Sequence, residues 1–201
     1  MQHSQAALLC DTGMQVLQTS HLFIRGMPDG AETLAGILKQ EAAALRLSEM
    51  DNLGQDFGVR VWMEDEKSSF GIGELITISA RSDVDGYLTM VDLGTDGTVT
   101  VLFPNQYEPD NRISAGQTTV FPSPAMGFEI TALPPVGRGM LRVFVTPEPL
   151  DLDYGDDFMA GDVLLADQIA DALQTAAGRR PSGAVELGSW ATAALVYDIT
   201  R

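Results

Sequence analysis

The sequence has little of what small catalytic and metal sites are usually built from. It holds one cysteine, Cys10, and two histidines, His3 and His21. A single thiol can neither close an internal disulfide nor supply a multi-thiolate metal site. Two histidines and one cysteine also exclude a closed zinc site of the usual kind. Both histidines precede Leu22, so a serine triad would have to join the N-terminal segment to the rest of the chain, and no nucleophile elbow is present. Cys10 with His3 or His21 offers the residue types of a cysteine peptidase. Thiol and base are too near in sequence for such a site, so Cys10 reads as a small apolar residue.

Basic residues are scarce as well: Lys plus Arg is 12 against 28 Asp plus Glu, a net charge of −16. Such a field repels phosphate backbones and anionic head groups. Neither nucleic acid nor a membrane surface is an expected partner, whereas a basic protein or a divalent cation suits the field. No apolar run reaches the ~18 residues of a membrane span, so no membrane insertion is expected. The opening MQHSQAALLCDTG lacks the basic region of a signal peptide, and its abrupt start reads as that of a piece of a longer protein. None of this fixes a cellular compartment.

What is present is enough apolar residue, 45% of 201, to bury a core in one domain with an attached segment. Residues 1–54 are mixed in pattern. Asp29 and Glu32 resemble a capping box ahead of Leu34, Ile37, Leu38, Ala42 and Leu45 at helical spacing, which predicts a helix over about 31–47 with those residues as its apolar face. Ser48 to Gln55 is polar and reads as a hinge, dividing the chain into an N-terminal segment, 1–54, and a main domain, 55–201.

From Phe57 the period changes to two. Phe57, Val59, Val61 and Met63 share one strand face, and Ile76, Ile78 and Ala80 alternate with polar residues, the pattern of a sheet with one wet face. Asp83 to Gly86 is a turn in which aspartate bonds its own backbone and glycine takes positive φ. Tyr87–Leu93 and Thr98–Phe103 form a hairpin around Gly94-Thr95-Asp96-Gly97. Shorter strands follow near 118–121, 127–131 and 140–145, punctuated by prolines. A second helix over about 162–177 carries Leu165, Ile169 and Leu173 on one stripe, and an apolar strand runs from Trp190 to Ile199. About eight short strands predict a mainly β fold, an antiparallel β-sandwich, Ig-like or jelly-roll-like, with two peripheral α-helices.

Three sets of carboxylates could carry chemistry. Asp11-Thr12-Gly13 matches the core of the retropepsin-like aspartic peptidase motif, which needs two aspartates sharing a proton; with no second copy, Asp11 could serve only in a dimer. The plainer reading is a turn. Asp151, Asp153, Asp156, Asp157 and Asp162 crowd one loop and could offer oxygens to calcium, although the spacing is not that of an EF-hand. Asp83, Asp85, Asp92 and Asp96 form another acidic group around the hairpin, and solvated turn aspartates account for both groups without a metal. No cofactor is expected.

One stretch carries a more specific signal. Gly73-Glu74-Leu75, Ser82-Asp83-Val84-Asp85-Gly86-Tyr87-Leu88, Asp96-Gly97-Thr98-Val99 and Leu102-Phe103-Pro104-Asn105, with Phe121-Pro122 and Trp190-Ala191 further on, resemble the pattern of the bacterial domain of unknown function 4384 family over about Phe57 to Ile199. The resemblance implies a noncatalytic accessory module of a larger bacterial protein, found beside caspase-like peptidases, protein kinases or envelope assemblies. No catalytic residue is implied. The expected partner is another protein or a neighbouring domain of the same chain. The candidate contact surface is the corner formed by Phe103, Pro104, Asn105 and Tyr107, with Phe121 as an aromatic neighbour.

Overall fold

The structure is a computed structural model, and it describes residue 42 and residues 45–152, 168–173, 175 and 190–201. The chain divides into two compact units, Met1–Ala35 and Gly36–Arg201, and every described residue lies in the second. The segment 45–54 therefore belongs to the same compact unit as the sheets.

That unit is mainly β. Eleven strands are formed among the described residues: β1 (Val59–Met63), β2 (Ser69–Gly71), β3 (Leu75–Ile76), β4 (Ile78–Ser82), β5 (Gly86–Leu93), β6 (Val99–Phe103), β7 (Arg112–Ile113), β8 (Thr118–Phe121), β9 (Ile130–Thr131), β10 (Gly137–Thr146) and β11 (Ala191–Thr200). One sheet has the order β1-β4-β8. The larger sheet runs β2-β11-β10-β5-β6, with β7 paired to the start of β5, and β3 pairs with β9 alone. Every pairing is antiparallel except that of β2 with β11. The expected hairpin is the β5–β6 unit. Gly97 N–H donates to Gly94 O at 2.9 Å and Thr98 N–H to the Asp96 carboxylate at 2.9 Å, and Gly97 holds a left-handed φ of 84°.

The two sheets face each other across an apolar layer. Leu88 and Met90 of β5 and Leu141, Val143 and Val145 of β10 meet Val61, Met63, Ile78, Ala80 and Phe121 of the smaller sheet, all buried. Each such side chain contributes roughly 2 kcal/mol by leaving water. The small sheet keeps the expected alternation, apolar in and polar out. The large one does not, because its outer face is covered too. Val91, Val99, Val101 and Phe144 pack there against Leu47, Leu150, Leu152, Ile169 and Leu173. A sheet covered on both faces needs apolar residues at consecutive positions, and Leu141 to Thr146 are buried without interruption.

Helical residues thus cover one sheet, with Ile169 and Leu173 inward as their spacing predicts. At 45–48 the inward residue is Leu47. Ala42 and Leu45, expected on the apolar face, are exposed. The cause lies in β10. Arg142, buried on the outer face of the sheet, donates to the carbonyls of Leu47 and Ser48 and to the Asp51 carboxylate. A cation at the last carbonyls of a helix is favourable in its own right, and here it sets how this turn meets the sheet. The stretch read as a hinge is fastened further along. Asn52 donates to Trp190 O at 2.5 Å, and the Gln55 side chain accepts from Thr192 N–H at 3.2 Å.

Candidate functional site

The corner after β6 is built by one side chain. Asn105 Nδ2 donates to Leu102 O at 2.8 Å, while its Oδ1 accepts from Tyr107 N–H at 2.8 Å and from Glu108 N–H at 3.0 Å. Its own N–H donates to Glu108 O at 3.2 Å. Asparagine can do this because it carries donor and acceptor on one short, stiff stem. With these bonds made, Asn105 is buried and its oxygen is committed to the turn.

Phe103 packs beneath the turn. Its ring lies 5.7 Å from Phe121, which lies 5.9 Å from Phe128, which lies 5.2 Å from Tyr107. Four rings therefore run in contact from the core to the surface. Phe103 and Phe121 are buried, Phe128 and Pro104 are half-buried, and Tyr107 is 59% exposed. Of the five residues expected to form a contact surface, then, only Tyr107 presents most of itself to solvent. Phe103, Asn105 and Phe121 are interior because the corner folds back over the edge of the core. Phe128 was missed; an aromatic directly after Gly127 at the start of a predicted strand was the available signal.

The acidic group around the hairpin separates into two kinds. Asp83 accepts from Gly58 N–H at 3.0 Å, Asp85 from Ala115 N–H at 2.7 Å and Asp96 from Thr98 N–H at 2.9 Å. These are turn aspartates, though the first two fasten distant loops rather than their own turn. The turn's own bond comes from Ser82 Oγ, which accepts from Val84 N–H. Gly86 does not take positive φ. It opens β5, and a β-carbon there would lie 2.8 Å from Thr146 O, so the position needs glycine for space.

Asp92 differs. It sits within β5, half-buried, and accepts a hydrogen bond from the Tyr197 hydroxyl of β11 at 2.8 Å. The two strands are separated by β10, and the gap is bridged across Gly139, which pairs with Tyr197; a β-carbon at Gly139 would overlap the tyrosine ring. Burial pushes the Asp92 carboxyl up to about 6, against the opposing bond from Tyr197, and Asp96 adds to the rise. Burial and then the Asp92 charge push the Tyr197 hydroxyl well above its usual range. The tyrosine is a neutral donor throughout, and the pair holds three strands in register.

A surface groove of about 610 Å³ lies at the ends of β2, β10 and β11, beside an exposed ion pair of Arg138 with Asp198 at 3.2 Å. It shares no residue with the corner. Asp151 is exposed; Asp153, Asp156, Asp157 and Asp162 lie outside the described residues, as do Asp11, Cys10, His3 and His21. Among the described residues no group of three or more histidine, cysteine, aspartate or glutamate side chains is arranged to hold a metal ion, and no helix is long and apolar enough to cross a membrane.

The fold and corner define a β-sandwich domain with one sheet covered by helical segments. Residues 69–149, from β2 through β10, match the model of a family described as a domain of unknown function (DUF4384). This is the family suggested by the Asp85-Gly86-Tyr87-Leu88 and Leu102-Phe103-Pro104-Asn105 motifs, and the match is shorter than that resemblance. Strands β1 and β11 lie beyond it, so the Asp92–Tyr197 pair joins the matched segment to a strand outside it. Searches of curated proteins and of solved structures found no match to this chain.

Proposed function

We propose that this domain is a noncatalytic binding module of a larger protein, and that it contacts a protein partner or a neighbouring domain through the surface around Tyr107. The observation that carries this reading is the contrast inside the corner. Asn105 commits its polar atoms to the turn, and the turn displays one large aromatic side chain, in tilted contact with Phe128 and backed by the core. A tyrosine held this way loses little freedom on binding and offers both ring area and a hydroxyl, which is why such residues dominate protein contacts.

The test is a photo-reactive residue placed at exposed Gln106, beside an intact Tyr107, in the cells that make the protein. A discrete adduct is expected. The same probe at Arg60, on the opposite edge strand of the small sheet, is expected to give none. Equal labelling from both positions, or none from Gln106, contradicts the reading.

A further inference from the structure

In a chain with 28 acidic side chains against 12 basic ones, a cation set beside another cation needs a reason. The outer face of the small sheet holds such a pair. Arg60 of β1 and Arg81 of β4 are register partners. Both are exposed and point outward, since Val61, Ala80 and Ser82 next to them are buried. Side chains directly opposite in an antiparallel pair have β-carbons about 5 Å apart, and like charges there are unfavourable. Arg60 reaches Glu66 through one nitrogen and lies 5.2 Å from the centre of the Trp62 ring. Arg81 makes no ion pair or side-chain hydrogen bond among the described residues. The carboxylates nearest it in sequence, Asp83 and Asp85, accept from the N–H groups of Gly58 and Ala115 instead. The guanidinium of Arg81 lies against a turn: a β-carbon at Gly116 would be 3.6 Å from its Nη2, and the Gly116 N–H donates to Ser82 O at 2.8 Å. Thr118, exposed on β8, is the register partner on its other side. Arg112 is the contrast. It too is exposed and makes no ion pair, but its register partner is Tyr87.

We infer that Arg60 and Arg81 together bind a small divalent oxyanion, a dicarboxylate or a phosphate compound, with the Thr118 hydroxyl as a further donor. A guanidinium presents a planar fork of donors that matches one edge of a carboxylate or phosphate. A ligand with two charges relieves the repulsion that the sheet builds in. An anionic polymer does not fit, because Glu66 at Arg60, and Asp83 and Asp85 at the end of β4, bound the site with negative charge. Salt screens exposed charges farther than about 8 Å away at physiological ionic strength. The local pair, not the net charge of −16, therefore decides what binds here. The site is independent of the Tyr107 surface, and a small ligand gives no protein adduct from a probe at Arg60.

The experiment titrates the isotope-labelled 201-residue chain with succinate, inorganic phosphate and acetate, chloride holding the ionic strength constant. Succinate or phosphate is expected to give saturable shifts of the Arg60, Arg81 and Thr118 amides and of the Trp62 indole N–H, and acetate to bind about tenfold more weakly for want of a second charge. Tighter succinate assigns the site to dicarboxylates, and tighter phosphate assigns it to phosphate compounds. R81Q removes a like-charge contact, so its amide spectrum should stay native while the divalent anion binds about tenfold more weakly. R112Q should bind as the parent does. The inference is overturned if no shift saturates in the parent, or if acetate binds as tightly as the divalent anions. Unchanged binding in R81Q, or an equal loss in R112Q, also overturns it.

Discussion

The Asn105 corner and the Arg142 clasp are both polar fastenings on the large sheet, and they work over different distances. Asn105 closes its bonds within three residues of itself. Arg142 reaches partners 91 to 95 residues earlier in the chain. The corner shapes a loop that would be near its final form once β6 exists. The clasp joins two segments far apart in the chain, which Leu47 also brings together by packing against Phe144. It also buries a guanidinium whose Nε has no hydrogen-bond partner among the described residues, and Thr89 Oγ1 on the same outer face is likewise buried without one among them. Local fastening is complete, then, whereas long-range fastening carries a polar penalty that its geometry only partly offsets.

The sharpest way to break this comparison is Arg142→Ala. It removes the shared donor of two carbonyls and a carboxylate, and the expected loss is about 4 kcal/mol in denaturant unfolding, with hydrogen-exchange protection falling first over 45–55. Asp51→Ala should lose only about 1 kcal/mol, because Asp51 is mostly exposed and the carbonyl bonds remain. Asn105→Ala should lose about 2 kcal/mol and leave the part-buried amides of Tyr107 and Glu108 without their acceptor, while exchange at 45–55 stays as in the parent. Equal loss of protection in both segments for both variants would mean that the fastenings are not independent.

Asp92 provides the pH arm. Its folded carboxyl titrates near 6, above its ordinary 3.8, so its contribution to stability is full below the ordinary value and is lost as pH rises through the folded one. Asp92→Asn keeps an acceptor for Tyr197 without the charge. Relative to the parent it should therefore gain about 2 kcal/mol between acid and neutral pH, read from unfolding curves across that range. A difference that does not change with pH would contradict the assignment. Thr89→Val removes a buried hydroxyl that has no partner among the described residues from a β-branched side chain of the same shape, and should raise stability by about 1 kcal/mol. Tyr107→Ala should change stability by less than about 0.5 kcal/mol, since the ring is largely in solvent.

The same difference in range decides what could be read from the chain. The β5–β6 hairpin is legible because Asp96-Gly97 sits between two alternating runs, and the corner because asparagine after proline bonds its own turn. Strands β1, β4, β8 and β11 follow from their patterns. The double covering of the large sheet does not, since a run such as Leu141 to Val145 is apolar whichever element covers it. Arg142 has no local signal at all, because its partners are set by tertiary packing. Asp92 had one: it occupies the inward register of Leu88 and Met90, where a carboxylate is out of place. Asn105 was legible as a turn-former, but its burial, and that of Phe103 and Phe121, depended on how the corner folds back onto the sandwich.

The central claim is that the corner is a scaffold whose working part is Tyr107. The most direct measurement is photo-adduct formation from Gln106 in a Tyr107→Ala background whose fold is verified by its amide spectrum. The prediction is a native spectrum with the adduct lost. A native spectrum with the adduct retained at the parent level would contradict it.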